Sequence, residues 1–207
     1  MQSPRRLILA SSSRYRRMLL NRLKVPFDVD PADIDELSWH ATVHSSDELA
    51  CQLAFAKAEC VLKRNSDAVV IGSDQLVDLE GRILGKPGTR ENAIEQILQM
   101  SGQWHRLLTA VCVLRSSSGA ESLTDSEHYE KDIFLNETRL RMRKLSREEA
   151  ERYVDADQPL DCAGSYKIEE YGIALFDQIE CSDFTAITGL PLIRLAETLR
   201  RLQFAIL

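Results

Sequence analysis

Four short segments carry side chains that could do chemistry, three of them on phosphate, metal or water and the fourth on a base edge. Ser11-Ser12-Ser13-Arg14-Tyr15-Arg16-Arg17 stands where an amphipathic helix is expected to begin. A helix start offers unpaired backbone N–H groups and positive dipole, and three arginines add donors for phosphate oxygens. The same residues also fit a capped helix with a solvated basic face, and they lack the spacing of a Walker loop. Gly72-Ser73-Asp74-Gln75 follows an apolar run. An acid at the carboxyl end of a strand can bind a metal or activate water, which makes Asp74 the candidate base; a turn aspartate capping the strand is the plain alternative. Gly85-Lys86-Pro87 sets a lysine between two residues that constrain the backbone, where it could hold a phosphate or stay solvated at a hairpin exit. Cys162 to Glu169 mixes small residues that allow close backbone approach with polar groups able to read a base edge, or forms a plain loop.

Other chemistry is disfavoured. His40-x-x-x-His44 has the spacing of two metal ligands, but no Glu follows His40 and the flanks are loop-like, so a structural role is expected. No Gly-x-Ser-x-Gly elbow is present, which argues against covalent hydrolase chemistry. The 26 Lys and Arg against 32 Asp and Glu leave a net charge of -6, so neither nucleic acid nor an anionic membrane is an expected partner. No apolar run approaches the ~18 residues needed to span a bilayer, and Leu7 to Ala10 is too short for a secretory core, so the sequence predicts a cytoplasmic chain. Five cysteines without a Cys-x-x-Cys pair suit a reducing compartment and read as small buried hydrophobes.

The elements that would position these segments follow from periodicity. Leu7 to Ala10 predicts a strand, followed by a helix that repeats Tyr15, Met18, Leu19, Arg22 and Leu23 and is closed by Pro26. Ser45 with Glu48 forms a capping box for a second helix bearing Leu49, Leu53, Ala56, Lys57, Cys60 and Val61. Ala68 to Ile71 predicts a buried strand ending at Gly72, with Asp74 just past its end. Leu76 to Leu84 reads as a hairpin turning at Glu80-Gly81, and Thr89 to Met100 as a helix stopped by Gly102. Strands are expected at 106–115, 133–135 and 138–142, with a turn at 116–119. A second capping box, Ser146 with Glu149, opens a helix to about Val154, and Pro159 to Tyr171 is mostly irregular. A last helix from near Thr188 holds Pro191 in its first turn and turns Leu192, Leu195, Ala196, Leu199 and Leu202 inward. Alternating strands and helices around a mixed sheet predict one α/β domain with two lobes.

In this order the segments resemble the Maf family of nucleotide pyrophosphatases, and the resemblance spans almost the whole chain. It rests on Leu-Ala-Ser-x-Ser-x-x-Arg-Arg from Leu9 to Arg17, the helix Lys57, Ser73-Asp74-Gln75, Gly85-Lys86-Pro87, Ala163-Gly164-Ser165-Tyr166 and Gly189-Leu190-Pro191. It implies a single Maf-like domain over residues 1–207, with a mixed twisted sheet flanked by helices and a cleft between two lobes, as in ITPase-like folds. It also implies a house-cleaning enzyme that splits a nucleoside triphosphate between its α and β phosphorus, with a divalent metal, Mg²⁺ or in its place Mn²⁺ or Co²⁺, and a homodimer. By the same resemblance Asp74 is the proton acceptor and Ser11, Arg16, Lys57 and Lys86 bind phosphate. Glu36 is the family's loop acid, placed with Asp74 at the metal.

Three further positions, Tyr15, Gln75 and Glu169, are those at which the family's branches differ. Arg, Thr and Gln mark the dTTP/UTP branch, whereas the residues here look like the 7-methyl-GTP branch. A methylated guanine is a cationic ring suited to stacking on Tyr15, and Glu169 can accept from its N1–H and amino group. Two departures stand out: Arg14 replaces a usual proline, and Tyr15 a common tryptophan. The rival expectations are a dTTP/UTP pyrophosphatase and a non-catalytic nucleotide-binding regulator of septum formation.

Overall fold

The computed structural model describes residues 6–36, 39, 43, 45–117 and 129–207. The His40/His44 pair and the distal half of the expected 116–119 turn lie outside the described residues.

Among these residues the strands form one mixed sheet: β1 (Leu7–Leu9), β2 (Asp28–Val29), β3 (Val69–Leu79), β4 (Arg82–Leu84), β5 (Trp104–Ser116), β6 (Tyr129–Met142) and β7 (Phe176–Cys181). Their order is β2-β1-β3-β5-β6-β7, with β4 paired on the far end of β3. β1 runs parallel to both β2 and β3, and the remaining pairs are antiparallel. The helices are α1 (Arg14–Asn21), α2 (Ser46–Leu62), α3 (Arg90–Met100), α4 (Arg147–Asp157) and α5 (Leu192–Arg201).

Alternation along the strands sends successive side chains to opposite faces. Ile8, Val70, Leu108 and Cys112 pack with Leu49, Leu53 and Ala54 of α2 on one face. Leu9, Ile71, Val111 and Val113 pack with Leu19 and Leu20 of α1 and with Leu195 and Leu199 of α5 on the other. A separate core forms at the far end of the long strands, where Val77, Leu107 and Leu140 meet Ile94 and Ile97 of α3 and Val154 of α4. The strands β3, β5 and β6 therefore run from one packed lobe into the other.

Local rules account for most element ends. Ser13, Ser45, Thr89 and Ser146 each cap a helix by accepting from the backbone N–H three residues on, and Ser146 with Glu149 completes a reciprocal box. At Ser45 only that half of the expected box is formed, because the Glu48 carboxylate instead accepts from Gln52 at 2.8 Å. Glu80 and Gly81 both have positive φ, the two-residue turn that matches strand twist.

Several expectations need correction. β3 does not stop at Gly72 but continues to Leu79, so Asp74 lies inside the strand: β5 pairs with every residue from Val69 to Asp78 and satisfies the backbone past the polar run. The two short strands expected at 133–135 and 138–142 are parts of one strand, β6, held by the same neighbour. β7 was not anticipated. The last helix starts at Leu192 with Pro191 as its cap, because a 3₁₀ turn over Phe184–Thr188 ends at Gly189, whose φ of 110° breaks the path. Only Cys112 of the five cysteines is buried, and Cys181 is exposed. Met18 faces solvent, with Leu19 and Leu20 taking the inward side of α1.

Candidate active site

β1 pairs with β3 only as far as Leu9 opposite Ile71, and after Ala10 the chain turns away into α1. The edge of β3 past Ile71 is thereby uncovered on that side. A cleft of about 590 Å³ opens there, and its wall includes all nine residues singled out in the sequence: Ser11, Tyr15, Arg16, Glu36, Lys57, Asp74, Gln75, Lys86 and Glu169.

At the centre, the Lys57 ammonium lies 2.6 Å from Asp74 Oδ1 and 2.7 Å from Glu36 Oε1. Lys57 reaches them because α2 lies close on β3. A Cβ on Gly72 would stand 2.2 Å from the Ala54 carbonyl oxygen and 2.7 Å from the Ala58 nitrogen, so only glycine admits this approach. Asp74 is buried, and its second oxygen, Oδ2, has no hydrogen-bond partner among the described residues. A buried carboxylate oxygen left unpaired at a cleft is available to water, a metal or a ligand. Burial pulls the Glu36 carboxyl up, but the hydrogen bond and charge of Lys57, with the charges of Lys86 and Arg16, hold it below the ordinary value.

Arg16 comes from the first turn of α1, and its Nη1 donates to the Ser73 carbonyl at 2.9 Å and to Ser11 Oγ at 3.3 Å. Burial lowers its pKa, and the charges of Asp74 and Glu36 act against that; a guanidinium so placed stays cationic. Its stem lies against Gly189, where a Cβ would come within 3.1 Å of Arg16 Nε, and Ser73 Oγ donates to the Gly189 carbonyl at 3.0 Å. Lys86 is exposed and makes no ion pair among the described residues. Its flanks are anchored by α3, since Asn92 donates to the Pro87 carbonyl and Gln96 to the Gly85 carbonyl.

At the other end of the cleft the structure refines the expected base-reading residues. The Tyr15 hydroxyl donates to Glu170 rather than Glu169, at 3.1 Å, and Arg14 lies over one face of its ring, 5.4 Å from the centroid. Stacking on Tyr15 is thus left to the opposite face. Partial burial and the bond to Glu170 push the Tyr15 phenol up to about 12. Glu169 is accessible along the cleft, yet the protein packed around its carboxyl pushes its pKa up, and the neighbouring Glu170 adds to this. Gln75 spends its amide nitrogen on Thr109, Ala186 and Ile187.

Sequence reasoning passed over Glu170, Thr109 and Asp183. Asp183 is buried and accepts from Thr185 and Ile193, which fixes the Phe184–Thr188 turn beneath the cleft. Its one local signal was an acid two residues before a Thr, the pattern of an Asx turn.

No group of three or more His, Cys, Asp or Glu converges as a metal cage among the described residues. Asp74 and Glu36 both reach the Lys57 ammonium, and Asp74 Oδ2 is unpaired among the described residues. Hard oxygen donors of this number fit a cation such as Mg²⁺ that takes its remaining ligands from water and substrate phosphate.

A carboxylate ringed by cations, set where a parallel strand leaves a mixed α/β sheet, defines a phosphate-handling α/β protein. The fold agrees with a solved HAM1 protein from Coxiella burnetii, with a TM-score of 0.51 and 15% identity over 95% of this chain and 99% of that one. The family model described as Maf-like protein matches residues 6–202, and the chain belongs to the Maf family. Similar relatives carry the name 7-methyl-GTP pyrophosphatase. The protein of Bdellovibrio bacteriovorus is 46% identical over 94% of this chain and 96% of its own length. That of Xanthomonas axonopodis pv. citri is 48% identical over 97% and 98%, and that of Pseudomonas aeruginosa 44% over 93% and 94%.

Proposed function

We propose that this chain hydrolyses 7-methyl-GTP to 7-methyl-GMP and pyrophosphate, with Asp74 as the base. The observation that carries the assignment is the free Asp74 Oδ2 in a cleft shared with Lys57, Arg16 and Lys86. A triphosphate brings about four negative charges, which these cations and Ser11 would bind and orient. Asp74 would take a proton from water as that water attacks the α-phosphorus. The bond to the bridging oxygen breaks, and pyrophosphate leaves with its negative charge held by Lys57, Lys86 and Arg16. A divalent cation bound at Asp74 and Glu36 would neutralise charge on the phosphate oxygens.

Tyr15, Gln75 and Glu169 support a purine carrying a positive ring over a pyrimidine, and the names of the relatives support the same substrate. The dTTP/UTP reading has less behind it, because those three positions lack the Arg, Thr and Gln of that branch. The intact set of ionisable cleft residues favours turnover over a purely regulatory nucleotide binder. No described helix is long and apolar enough to cross a membrane, in keeping with a cytoplasmic enzyme acting on a small molecule.

The test is a nucleotide panel, run with and without Mg²⁺, on the wild-type chain and on Asp74→Asn. The variant is expected to keep the fold and bind nucleotide but lose most hydrolysis. Pyrophosphate release retained in Asp74→Asn refutes the base, and wild-type preference for UTP refutes the substrate.

A further inference from the structure

The cleft is backed by a polar layer in which three acceptors, Thr109 Oγ1 among them, set which atom Gln75 presents. The Gln75 amide nitrogen lies 2.9 Å from Thr109 Oγ1, 3.0 Å from the Ala186 carbonyl and 3.1 Å from the Ile187 carbonyl. Thr109 stands directly opposite Gln75 in the β3–β5 register and is 1% exposed. Its own hydroxyl proton goes to the Ala186 carbonyl at 2.9 Å, so towards Gln75 its oxygen can only accept. A flipped amide would set its carbonyl oxygen against two backbone carbonyls and a hydroxyl whose proton is already committed. The nitrogen is therefore held inward, and the amide oxygen is the polar atom left to the cleft that Gln75 lines.

We propose that Thr109 is a positioning residue for nucleotide selection. By holding the Gln75 amide in place together with the Ala186 and Ile187 carbonyls, it keeps this part of the cleft an acceptor, suited to a base edge that offers adjacent N–H donors, as the N1–H and amino group of guanine do. A uracil offers a single N–H between two acceptors, and so gains less from it. The inference rests on the nucleotide pyrophosphatase reading, and it adds a residue to which neither the motifs nor the family resemblance gives a role.

The test compares Thr109→Val, which removes the hydroxyl and keeps the shape, with Thr109→Ser, which keeps it. Both are assayed as full chains by steady-state kinetics on 7-methyl-GTP and UTP, alongside thermal unfolding. Thr109→Val is expected to raise KM for 7-methyl-GTP about 5- to 10-fold, with kcat within about twofold and a smaller rise for UTP, the scale of one lost hydrogen bond. Thr109→Ser returns KM to near the wild-type value. On a Gln75→Leu background Thr109→Val adds nothing further. Equal KM rises for both nucleotides, a loss confined to kcat, no rescue by serine, or an undiminished effect on the Gln75→Leu background each overturns the proposal. Thr109→Ala carries the same expectation should the valine chain fail to fold. A wild-type chain that releases no pyrophosphate refutes the enzymatic reading instead, and nucleotide dissociation constants from calorimetry then carry the Thr109 comparison with the same expected pattern.

Discussion

Gly72→Ala is the substitution that most directly tests how the fold holds the site. The added methyl would lie 2.2 Å from the Ala54 carbonyl oxygen, 2.7 Å from the Ala58 nitrogen and 2.9 Å from the Ala58 Cβ, all on α2. Two of the three are backbone atoms, so no rotamer change relieves the clash, and the helix has to lift from β3 by roughly 1 Å in a close-packed interior. Overpacking of this kind costs about 1–3 kcal/mol. At about 2–4 °C per kcal/mol for a chain of this size, Tm falls by roughly 2–12 °C. Lys57 rides on the same helix between Ala54 and Ala58, and its ammonium now sits 2.6 Å from Asp74. A displacement near 1 Å at a reacting group can cost on the order of 100-fold in rate, so kcat is expected to fall by up to that factor. Differential scanning calorimetry and pyrophosphate-release kinetics on the same preparation measure both effects. A variant with lowered Tm but intact kcat would refute the link between helix seating and lysine placement, and one unchanged in both would refute the contact itself.

Two further outcomes concern the base end of the cleft. Tyr15→Ala is expected to raise KM for 7-methyl-GTP by roughly 2- to 30-fold, the span of cation–π energies, and to raise it less for UTP; equal effects would rule out stacking. Glu169 has a pKa above its ordinary 4.5, so below that raised value it is protonated and loses an acceptor, and above it the carboxylate is ionised. KM for 7-methyl-GTP is therefore expected to fall as pH rises through the raised pKa of Glu169, and Glu169→Gln to flatten that dependence; a wild-type profile that the glutamine variant reproduces would exclude Glu169 as its source.

Elements with strictly local causes were legible in the sequence. The Ser146/Glu149 box, the helix start at Thr89 and the Glu80-Gly81 turn each depend on residues within four positions of one another. Asp74 was placed at a strand end because Gly72-Ser73 looks like punctuation, whereas β5, more than thirty residues away along the chain, keeps the strand going. The 3₁₀ turn before α5 was hidden for the same reason, since Ser73, Gln75 and Thr109 hold it from distant segments. The cleft residues were singled out by motif, and their types stated the chemistry. What no motif states is pairing: that Lys57 bridges two carboxylates, that Arg14 covers Tyr15, or that Glu170 rather than Glu169 takes the phenol.

The course of β3 sets apart two kinds of part in this molecule. The carboxylate sits midway along a strand whose two ends are locked into separate cores, so its position is as stiff as the sheet. Tyr15 stands at a helix tip and Glu169 on a loop, where one exposed bond joins the phenol to the adjacent Glu170. Substitutions at Tyr15 and Glu169 are thus expected to alter the rim while leaving Asp74 and its strand in place, much as a tool keeps its handle when the bit is changed.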